Sequence, residues 1–255
     1  MLDNNTMQKL TEMKLGVMAG AFRQQLEDKN VVELSFEERL GLIVDAEWAA
    51  RKSNRLTRLI RSANFDFPSA CIEDIEYRPD RELDKSLITR LATCNYIQDR
   101  RNLMLLGASG SGKTWIACAF GVKAAQNFYT VRYIRLPDLL GELAIAKAEG
   151  TYRKILKQLT GVQLLIIDEW LLYDLKDSDV RDILEIVDRR HKRVSTIFCS
   201  QYDTGGWHEK LGEPTIADAI CDRIVHDSYT LVIKGEESMR KHKGLTASTH
   251  EASPQ

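Results

Sequence analysis

Apolar and polar positions divide the chain into two regions with different periodicity. Up to about residue 64, apolar side chains recur every three to four positions, which predicts helices. One helix is predicted to begin at Ser35, where Glu37 and Glu38 place acidic charge in the first turn. Its apolar positions predict a single buried face, which comprises Leu40, Ile43, Val44, Leu56, Leu59 and Ile60.

From about residue 70 onward, short apolar runs alternate with helix-like segments. Strands are predicted at 102–107, 130–136, 162–169, 194–201 and 227–235, and helices at 113–128, 137–150, 177–193 and 215–226. Such alternation predicts an α/β fold, in which helices cover both faces of a parallel sheet.

Proline positions and changes in composition along the chain predict its domain boundaries. Residues 64–81 contain Pro68 and Pro79 and lose helical periodicity, so we interpret them as a linker. The end of the chain has almost no apolar residues and is predicted to be disordered. We therefore predict a small all-α N-terminal domain at 1–66, an α/β domain at 67–244 and a disordered tail at 245–255.

Composition excludes some classes of protein. The 255 residues are 44% hydrophobic and 29% charged, which suits a domain with a core and not a membrane protein. No apolar run approaches the ~20 residues that span a bilayer, and the N-terminus lacks the order of a signal peptide. Five scattered cysteines without a C-x-x-C pair argue against a zinc site or a disulfide framework and favour the reducing cytoplasm.

The sequence GASGSGKT lies between a predicted strand and a predicted helix. It matches the phosphate-binding pattern G-x-x-x-x-G-K-T, in which backbone N–H groups and a helix N-terminus face the phosphates. Lys113 is expected to reach the β- and γ-phosphates of ATP, and Thr114 to ligate Mg²⁺. The predicted nucleotide-binding residues here are Gly107, Ala108, Ser109, Gly110, Ser111, Gly112, Lys113, Thr114 and Trp115.

A second motif, LLIIDE, ends an apolar strand in two acids. Asp168 would reach the carboxyl edge of the sheet and hold Mg²⁺ through water. Glu169 would polarise the attacking water, which favours hydrolysis over transfer to a small acceptor.

Three later residues are candidates to complete the site. Gln201 follows Ser200 at the end of the next apolar strand, where its amide would orient the water unless this is a simple strand-end turn. Arg223 would stabilise transition-state charge, a role that an arginine can perform in a neighbouring subunit's site, and Arg240 would contact phosphates from the same chain. Either arginine taken alone is more often part of a surface ion pair.

Cations recur at helical spacing in ARKSNRLTRLIRSA. Because the net charge is −1, nucleic-acid binding requires such local clusters. The cluster indicates contact with DNA phosphates, although a solvated basic helix face has the same pattern. We name these residues the cation stripe, which comprises Arg51, Lys52, Arg55, Arg58 and Arg61.

The segments NLMLLGASGSGKT, LLIIDEW, STIFCSQ, AICDRIVH and GEESMR closely resemble the IstB-type transposition helper ATPases. This family belongs with the DnaC- and DnaI-type helicase loaders in the initiator branch of the AAA+ ATPases. The resemblance extends from about Met7 to Leu245 and includes the leader LSFEERLGLIVDAEWAARKSNRLTRLIRSANFDFPSACIEDIEY.

The resemblance implies a role for each motif. Lys113 and Thr114 would be Walker A residues, Asp168 and Glu169 Walker B residues, Gln201 sensor I, Arg223 the arginine finger and Arg240 sensor II. Sensor I is usually Asn, so Gln201 departs from the pattern. Trp115 stands where relatives often carry His, and Met239 where Tyr is common.

The resemblance also implies further DNA contacts and an assembly. This chain has a second basic cluster, and in initiator-type proteins the corresponding region faces the channel of a ring or spiral. An ordinary exposed helix has the same pattern. That cluster consists of Lys147, Arg153, Lys154 and Lys157. A homo-oligomer with ATP bridging its AAA+ interfaces would follow from an arginine finger that acts between subunits.

We therefore expect an AAA+ P-loop ATPase of the bacterial cytoplasm that assembles on target duplex DNA, hydrolyses ATP when stimulated by DNA, and recruits or stimulates a cognate transposase. A replicative helicase loader is the alternative, against which the leader argues. A small-molecule kinase fits the acidic pair and the late arginines poorly. A scaffold with negligible turnover remains open because of Gln201.

Overall fold

The structure is a computed structural model that describes residues 2–28, 31, 33–235 and 239. It divides into two compact units, which we call the helical unit, Met1–Arg58, and the sheet unit, Leu59–Gln255. The predicted domain boundary at 66/67 stays a prediction. The predicted tail at 245–255 and Arg240 lie outside the described residues. Within the described part of the chain, no helix is long and apolar enough to cross a membrane.

The helical unit contains α1 (Leu2–Glu12), α2 (Gly16–Glu27) and most of α3 (Phe36–Ala63). The start of α3 has a capping box, as the predicted N-cap requires: Ser35 Oγ accepts from Glu38 N at 3.3 Å, and Glu38 Oε2 accepts from Ser35 N at 2.8 Å. These bonds satisfy two backbone donors that a helix start otherwise leaves unpaired.

The predicted buried face of α3 is wrong in part. Ile43 is buried, but Leu40 and Val44 are 43% and 44% exposed. The second buried position is polar: Glu47 accepts from Met18 N at 2.9 Å and from Arg51 Nε at 2.7 Å. Apolar periodicity failed here because a satisfied carboxylate occupies the contact with the shorter helix α2.

Among its described residues, the sheet unit contains five strands and the helices that cover them, together with two 3₁₀ turns at Ile72–Asp74 and Pro79–Arg81. In chain order its elements are α4 (Lys85–Leu91), α5 (Asn95–Gln98), β1 (Asn102–Leu106), α6 (Lys113–Gln126), β2 (Val131–Arg135), α7 (Leu136–Ala148), α8 (Tyr152–Gly161), β3 (Leu164–Trp170), α9 (Asp177–Arg190), β4 (Ser195–Ser200), α10 (Thr204–Leu211), α11 (Pro214–Val225) and β5 (Ser228–Val232).

The five strands form one parallel sheet in the order β2-β3-β4-β1-β5. The predicted parallel α/β arrangement is confirmed, and α4, α5, α8 and α10 are additional helices that the sequence pattern did not assign. The central strands β1 and β4 are buried along their whole length. All strands run in the same direction, so the residues after β1, β3 and β4 meet at one edge of the sheet.

The chain segment after α3 is fixed to the sheet unit by a ring and a glycine. Asn64 turns the chain with a φ of 57°, and the next side chain, Phe65, packs over Gly121 of α6. A Cβ atom at Gly121 would overlap the Phe65 ring and would lie 2.8 Å from Cδ1 of Ile166. Only glycine leaves room for this contact.

We expect Gly121→Ala to destabilise the protein by about 1–3 kcal/mol, because the added methyl group overpacks a filled contact. Gly141→Ala is the matched control, since Gly141 is also helical and a Cβ there would meet nothing within 4 Å. The control is expected to be neutral or to stabilise by up to about 1 kcal/mol through helix propensity. Urea unfolding of both variants checks this, and equal midpoints would contradict the close approach at Gly121.

Candidate functional site

The phosphate-binding loop connects β1 to α6 at the carboxyl edge of the sheet. Gly112 caps α6 with a φ of 92°, a left-handed conformation that favours glycine. A Cβ atom at Gly107 would overlap the carbonyl oxygen of Ile233, and Gly107 N donates to Ser200 O at 3.2 Å. The loop is therefore held against β4 and against the residue that follows β5.

Lys113 extends its ammonium group into this loop. The side chain is 8% exposed, and Nζ donates to Gly107 O at 2.7 Å and to Ala108 O at 2.8 Å. Burial lowers the pKa of Lys113. A bound phosphate would place negative charge beside the buried ammonium group and stabilise its protonated form. The loop therefore fits an anionic ligand.

Asp168 lies beside the loop at the end of β3 and is 4% exposed. Its Oδ2 atom accepts from Thr114 Oγ1 at 2.6 Å and from the Tyr133 hydroxyl at 3.0 Å, and its Oδ1 atom accepts from Glu169 N at 2.8 Å. A hydroxyl and a carboxylate next to a phosphate site are the hard oxygen donors that suit Mg²⁺ bound to a nucleotide. Thr114 and Asp168 therefore fit the predicted metal.

Tyr133 was not predicted to belong to the site. It lies on β2, and its hydroxyl also lies 3.2 Å from Asp66 Oδ2. Burial, followed by the charges of Asp168 and Asp66, raises the pKa of Tyr133 well above its usual range, so the hydroxyl keeps its proton. A strand tyrosine in an apolar run carries no sequence signal of such a role.

Glu169 follows Asp168 in an irregular stretch of β3. Its φ is 54°, and the register between β3 and β4 shifts between Ile167 and Trp170. A left-handed conformation at a residue other than glycine costs about 1–3 kcal/mol and is typical of functional sites. Glu169 also raises the pKa of Arg135, after the larger effects of the Asp138 hydrogen bond and charge. The positive charge of Arg135, at the end of β2, is therefore close enough to interact with the charge of Glu169.

Ser200 and Gln201, at the end of β4, have different surroundings. The buried Ser200 Oγ donates to Trp170 O and accepts from Trp207 Nε1, both at 3.1 Å. Ser200 thus ties the end of β3 to α10. Gln201 is the first residue beyond the strand and is exposed, which leaves its amide accessible at the carboxyl edge.

A cavity of about 230 Å³ opens beside the loop. Its lining includes four residues with large apolar groups, Phe67, Ile75, Trp115 and Met239, together with Asp74, Glu76, Arg81, Gly110, Gly112, Lys113 and Thr114. Several of these residues come from 64–81, so the interpretation of that segment as a linker is incomplete: it forms one wall of the site. An irregular run without periodicity gave no sign of this.

Arg81 is the residue of that wall that reaches the loop. It is 3% exposed, and its guanidinium donates to Ser111 O at 2.9 Å and to Glu76 O at 2.7 Å. Burial lowers the pKa of Arg81. Arg81 was not predicted to belong to the site, because nothing in its spacing separates it from the arginines on the surface.

The other arginine candidates are placed as follows. Arg223, on α11, pairs with Asp188 at 3.1 Å and donates to Ala219 O at 2.8 Å. In the cation stripe, which lies on α3, Arg51 pairs with Glu47 and donates to Lys14 O, both at 2.7 Å, and Lys52 lies 4.4 Å from the Trp48 ring centroid. Arg55, Arg58 and Arg61 are exposed along the same helix.

The second basic cluster is divided by its contacts. Lys147 pairs with the buried Asp182 at 2.6 Å, which commits part of its charge to the fold. Arg153, Lys154 and Lys157 are exposed on α8. The cations on α8 are therefore better placed than Lys147 to meet a phosphate backbone.

The parallel sheet, the glycine loop before α6 and the acidic pair near the end of β3 define a P-loop nucleotide-binding protein. Solved structures agree with this class. The DnaC helicase loader has a TM-score of 0.53 and 21% identity over 65% of this chain and 97% of its own. DnaA from Aquifex aeolicus, solved with AMPPCP, has a TM-score of 0.55 and 16% identity over 68% and 52%. The predicted AAA+ fold is confirmed.

Sequence comparison gives the family. The model of the IstB-like ATP binding protein matches residues 8–247. A putative insertion sequence ATP-binding protein of Sinorhizobium fredii is 40% identical, over 95% of this chain and 99% of that protein. A putative ATP-binding protein from an insertion sequence of Pseudomonas fluorescens is 42% identical, over 79% and 87%. The chain belongs to the IstB-like ATP-binding proteins of insertion sequences, as the resemblance of its motifs implied.

Because Arg81 is the buried donor to Ser111 O, we expect Arg81→Met to weaken ATP binding by about tenfold or more, the effect of losing a charge-assisted hydrogen bond of about 1.5–3 kcal/mol. Arg81→Lys keeps the charge but loses the forked geometry, so an intermediate loss is expected. Titration with a fluorescent ATP analogue measures both dissociation constants. Arg132→Met, which removes a surface ion pair with Glu142, is the control, and an Arg81→Met affinity equal to the control's would show that the loop does not depend on Arg81.

Proposed function

We propose that this protein is a magnesium-dependent ATPase that assembles on duplex DNA and, in its ATP-bound state, recruits or stimulates the transposase of an insertion sequence. The observation that carries the proposal is the arrangement at the end of β3. Asp168 is hydrogen-bonded to the loop residue Thr114 at 2.6 Å, and Glu169 follows it in a left-handed conformation.

Binding and hydrolysis are assigned to this chain's own residues. Lys113 would exchange its two carbonyl partners for phosphate oxygens, and the cavity walled by residues 64–81 would receive the base. Thr114 and Asp168 would hold Mg²⁺, which neutralises phosphate charge when bound. Glu169 would accept a proton from the attacking water, and Gln201, exposed at the same edge, would orient that water.

The family supports the coupling to DNA and transposition. The relatives named above are described as putative ATP-binding proteins of insertion sequences, and the relative from Sinorhizobium fredii matches 95% of this chain. The DnaC helicase loader, in contrast, is similar in fold at 21% identity. The favoured client is therefore a transposase, and the replicative helicase is the alternative. The cation stripe and the cations on α8 would contact DNA phosphates.

An assembly of several copies would place Arg223 next to a neighbouring nucleotide. Within one chain Arg223 pairs with Asp188, a residue that is itself exposed. An ion pair of this kind is worth little, so it would open at small cost. Arg223 would then stabilise transition-state charge in the neighbour's site.

We expect Glu169→Gln to lower kcat for ATP hydrolysis by about 10²–10⁴, the usual contribution of a general base, while ATP binding persists. Phosphate release and equilibrium nucleotide binding are measured on the same preparation. Glu142→Gln, which changes an exposed glutamate on α7, is the control and should hydrolyse ATP normally. Normal turnover by Glu169→Gln would remove Glu169 from the mechanism.

We expect the combined reversal Arg51→Glu, Arg55→Glu and Arg58→Glu to weaken duplex DNA binding and to leave the ATP dissociation constant unchanged. Each lost phosphate contact lowers the slope of log K against log salt by about 0.9, so the slope should fall by about 3 if all three contact phosphates. Reversal of Arg189, Lys192 and Arg193, three exposed cations near the end of α9, makes the same change in net charge. Fluorescence anisotropy at several salt concentrations compares the two, and equal DNA affinities would contradict the assignment of the stripe.

A further inference from the structure

The hydroxyl of Tyr133 lies between two carboxylates from different parts of the sheet unit. Its oxygen is 3.0 Å from Asp168 Oδ2, at the end of β3, and 3.2 Å from Asp66 Oδ2, in the segment that follows α3. Tyr133 itself is 3% exposed. The scheme for hydrolysis uses neither Tyr133 nor Asp66, so this bridge needs a separate explanation.

A neutral phenol has one proton to donate, so Tyr133 can serve only one carboxylate at a time. Asp168 keeps two other donors, Thr114 Oγ1 at 2.6 Å and Glu169 N at 2.8 Å. The Asp66 side chain is exposed, so water can donate hydrogen bonds to its carboxylate. Neither position of the proton leaves a buried carboxylate without donors, so both arrangements are accessible, as a two-state element requires.

Ligand binding at the loop would favour one of these arrangements. The Oδ2 atom of Asp168 that accepts from Tyr133 also accepts from Thr114, a residue proposed to contact the nucleotide-bound metal. New donors or positive charge at Asp168 compete with Tyr133 for the same oxygen lone pairs. The Tyr133 hydroxyl then donates its hydrogen bond to Asp66 instead.

Asp66 belongs to a short segment with an apolar anchor beside it. Ala63 ends α3 and is fully buried, and the Phe65 ring fills the space over Gly121 of α6. The hydrogen bond from Tyr133 is the polar counterpart of this anchor. A stronger or weaker bond to Asp66 therefore changes how firmly the segment is held to the sheet unit.

We propose that Tyr133 is a positioning residue that couples occupation of the nucleotide site to residues 64–67 at the end of α3. Its hydroxyl donates mainly to Asp168 when the site lacks nucleotide and mainly to Asp66 when nucleotide is bound. Because α3 also carries Arg61 and the rest of its cation stripe, the same contact lets nucleotide and DNA bias one another reciprocally. The coupling rests on the proposed function in one respect, which is that nucleotide binds at the loop.

Hydrogen–deuterium exchange of the full chain tests the coupling without measuring hydrolysis. Exchange is compared with and without a non-hydrolysable ATP analogue and Mg²⁺, in peptides that cover 62–70 and 105–115. In the unaltered protein, nucleotide should slow exchange in both peptides, and in 62–70 by about three- to tenfold, the effect of one hydrogen bond of ordinary net strength. Tyr133→Phe and Asp66→Ala, each of which removes one partner of the bond between these residues, should each keep the protection at 105–115 and lose most of the response at 62–70.

Three comparisons decide the outcome. Tyr129→Phe removes the hydroxyl of a tyrosine just before β2, which accepts only from Gln98 among the hydrogen bonds that the structure describes for it, and this variant should respond like the unaltered protein. Protection at 105–115 without a response at 62–70 would overturn the coupling, as would a full response in Tyr133→Phe. Absence of protection at 105–115 in the unaltered protein would instead overturn nucleotide binding at the loop. Asp66→Ala keeps the inference testable if Tyr133→Phe is poorly folded, since it alters an exposed side chain.

Discussion

A buried carboxylate must be compensated, and this requirement constrains the whole nucleotide site. Burying an unpaired charge costs several kcal/mol or more, which is a large fraction of the ~5–15 kcal/mol that stabilises a typical domain. Asp168 meets the requirement with donors from three elements: Thr114 at the start of α6, Tyr133 on β2 and the backbone of Glu169. The parallel sheet is what brings these donors to one point, because it places the end of β3 between β2 and the loop after β1.

The same compensation explains why the loop needs more than its own residues. Lys113 is buried against the carbonyls of Gly107 and Ala108, and the neighbouring carbonyl of Ser111 accepts from Arg81. Two buried cations therefore flank the loop. A phosphate ligand is the partner that would satisfy this positive potential, and the wall formed by residues 64–81 supplies half of it.

Sequence periodicity predicted the parts of the molecule in which one physical rule acts alone. All five strands were predicted. The signal is clearest for β1, β3 and β4, because strands buried on both faces must be apolar throughout, and the loop glycines follow from backbone conformation. The exposed Leu40 and Val44 show where the rule fails, since Glu47 occupies the helix contact that an apolar residue was expected to fill. Arg81 and Tyr133 escaped prediction because their roles depend on partners distant in sequence, and no local pattern encodes such a pairing.

The shared hydroxyl gives these separate features a common consequence. Asp168 can release Tyr133 only because Thr114 and Glu169 N already satisfy it, so the compensation that buries the carboxylate also frees one donor for another use. The Tyr133 hydroxyl also lies near Asp66, which is next to Phe65, whose ring packs over Gly121. A phenylalanine on β2 could form neither hydrogen bond, whereas a tyrosine between two acceptors has two arrangements of its single proton. Occupation of the nucleotide site then acts on the end of α3 through one hydrogen bond, without any rearrangement of the sheet.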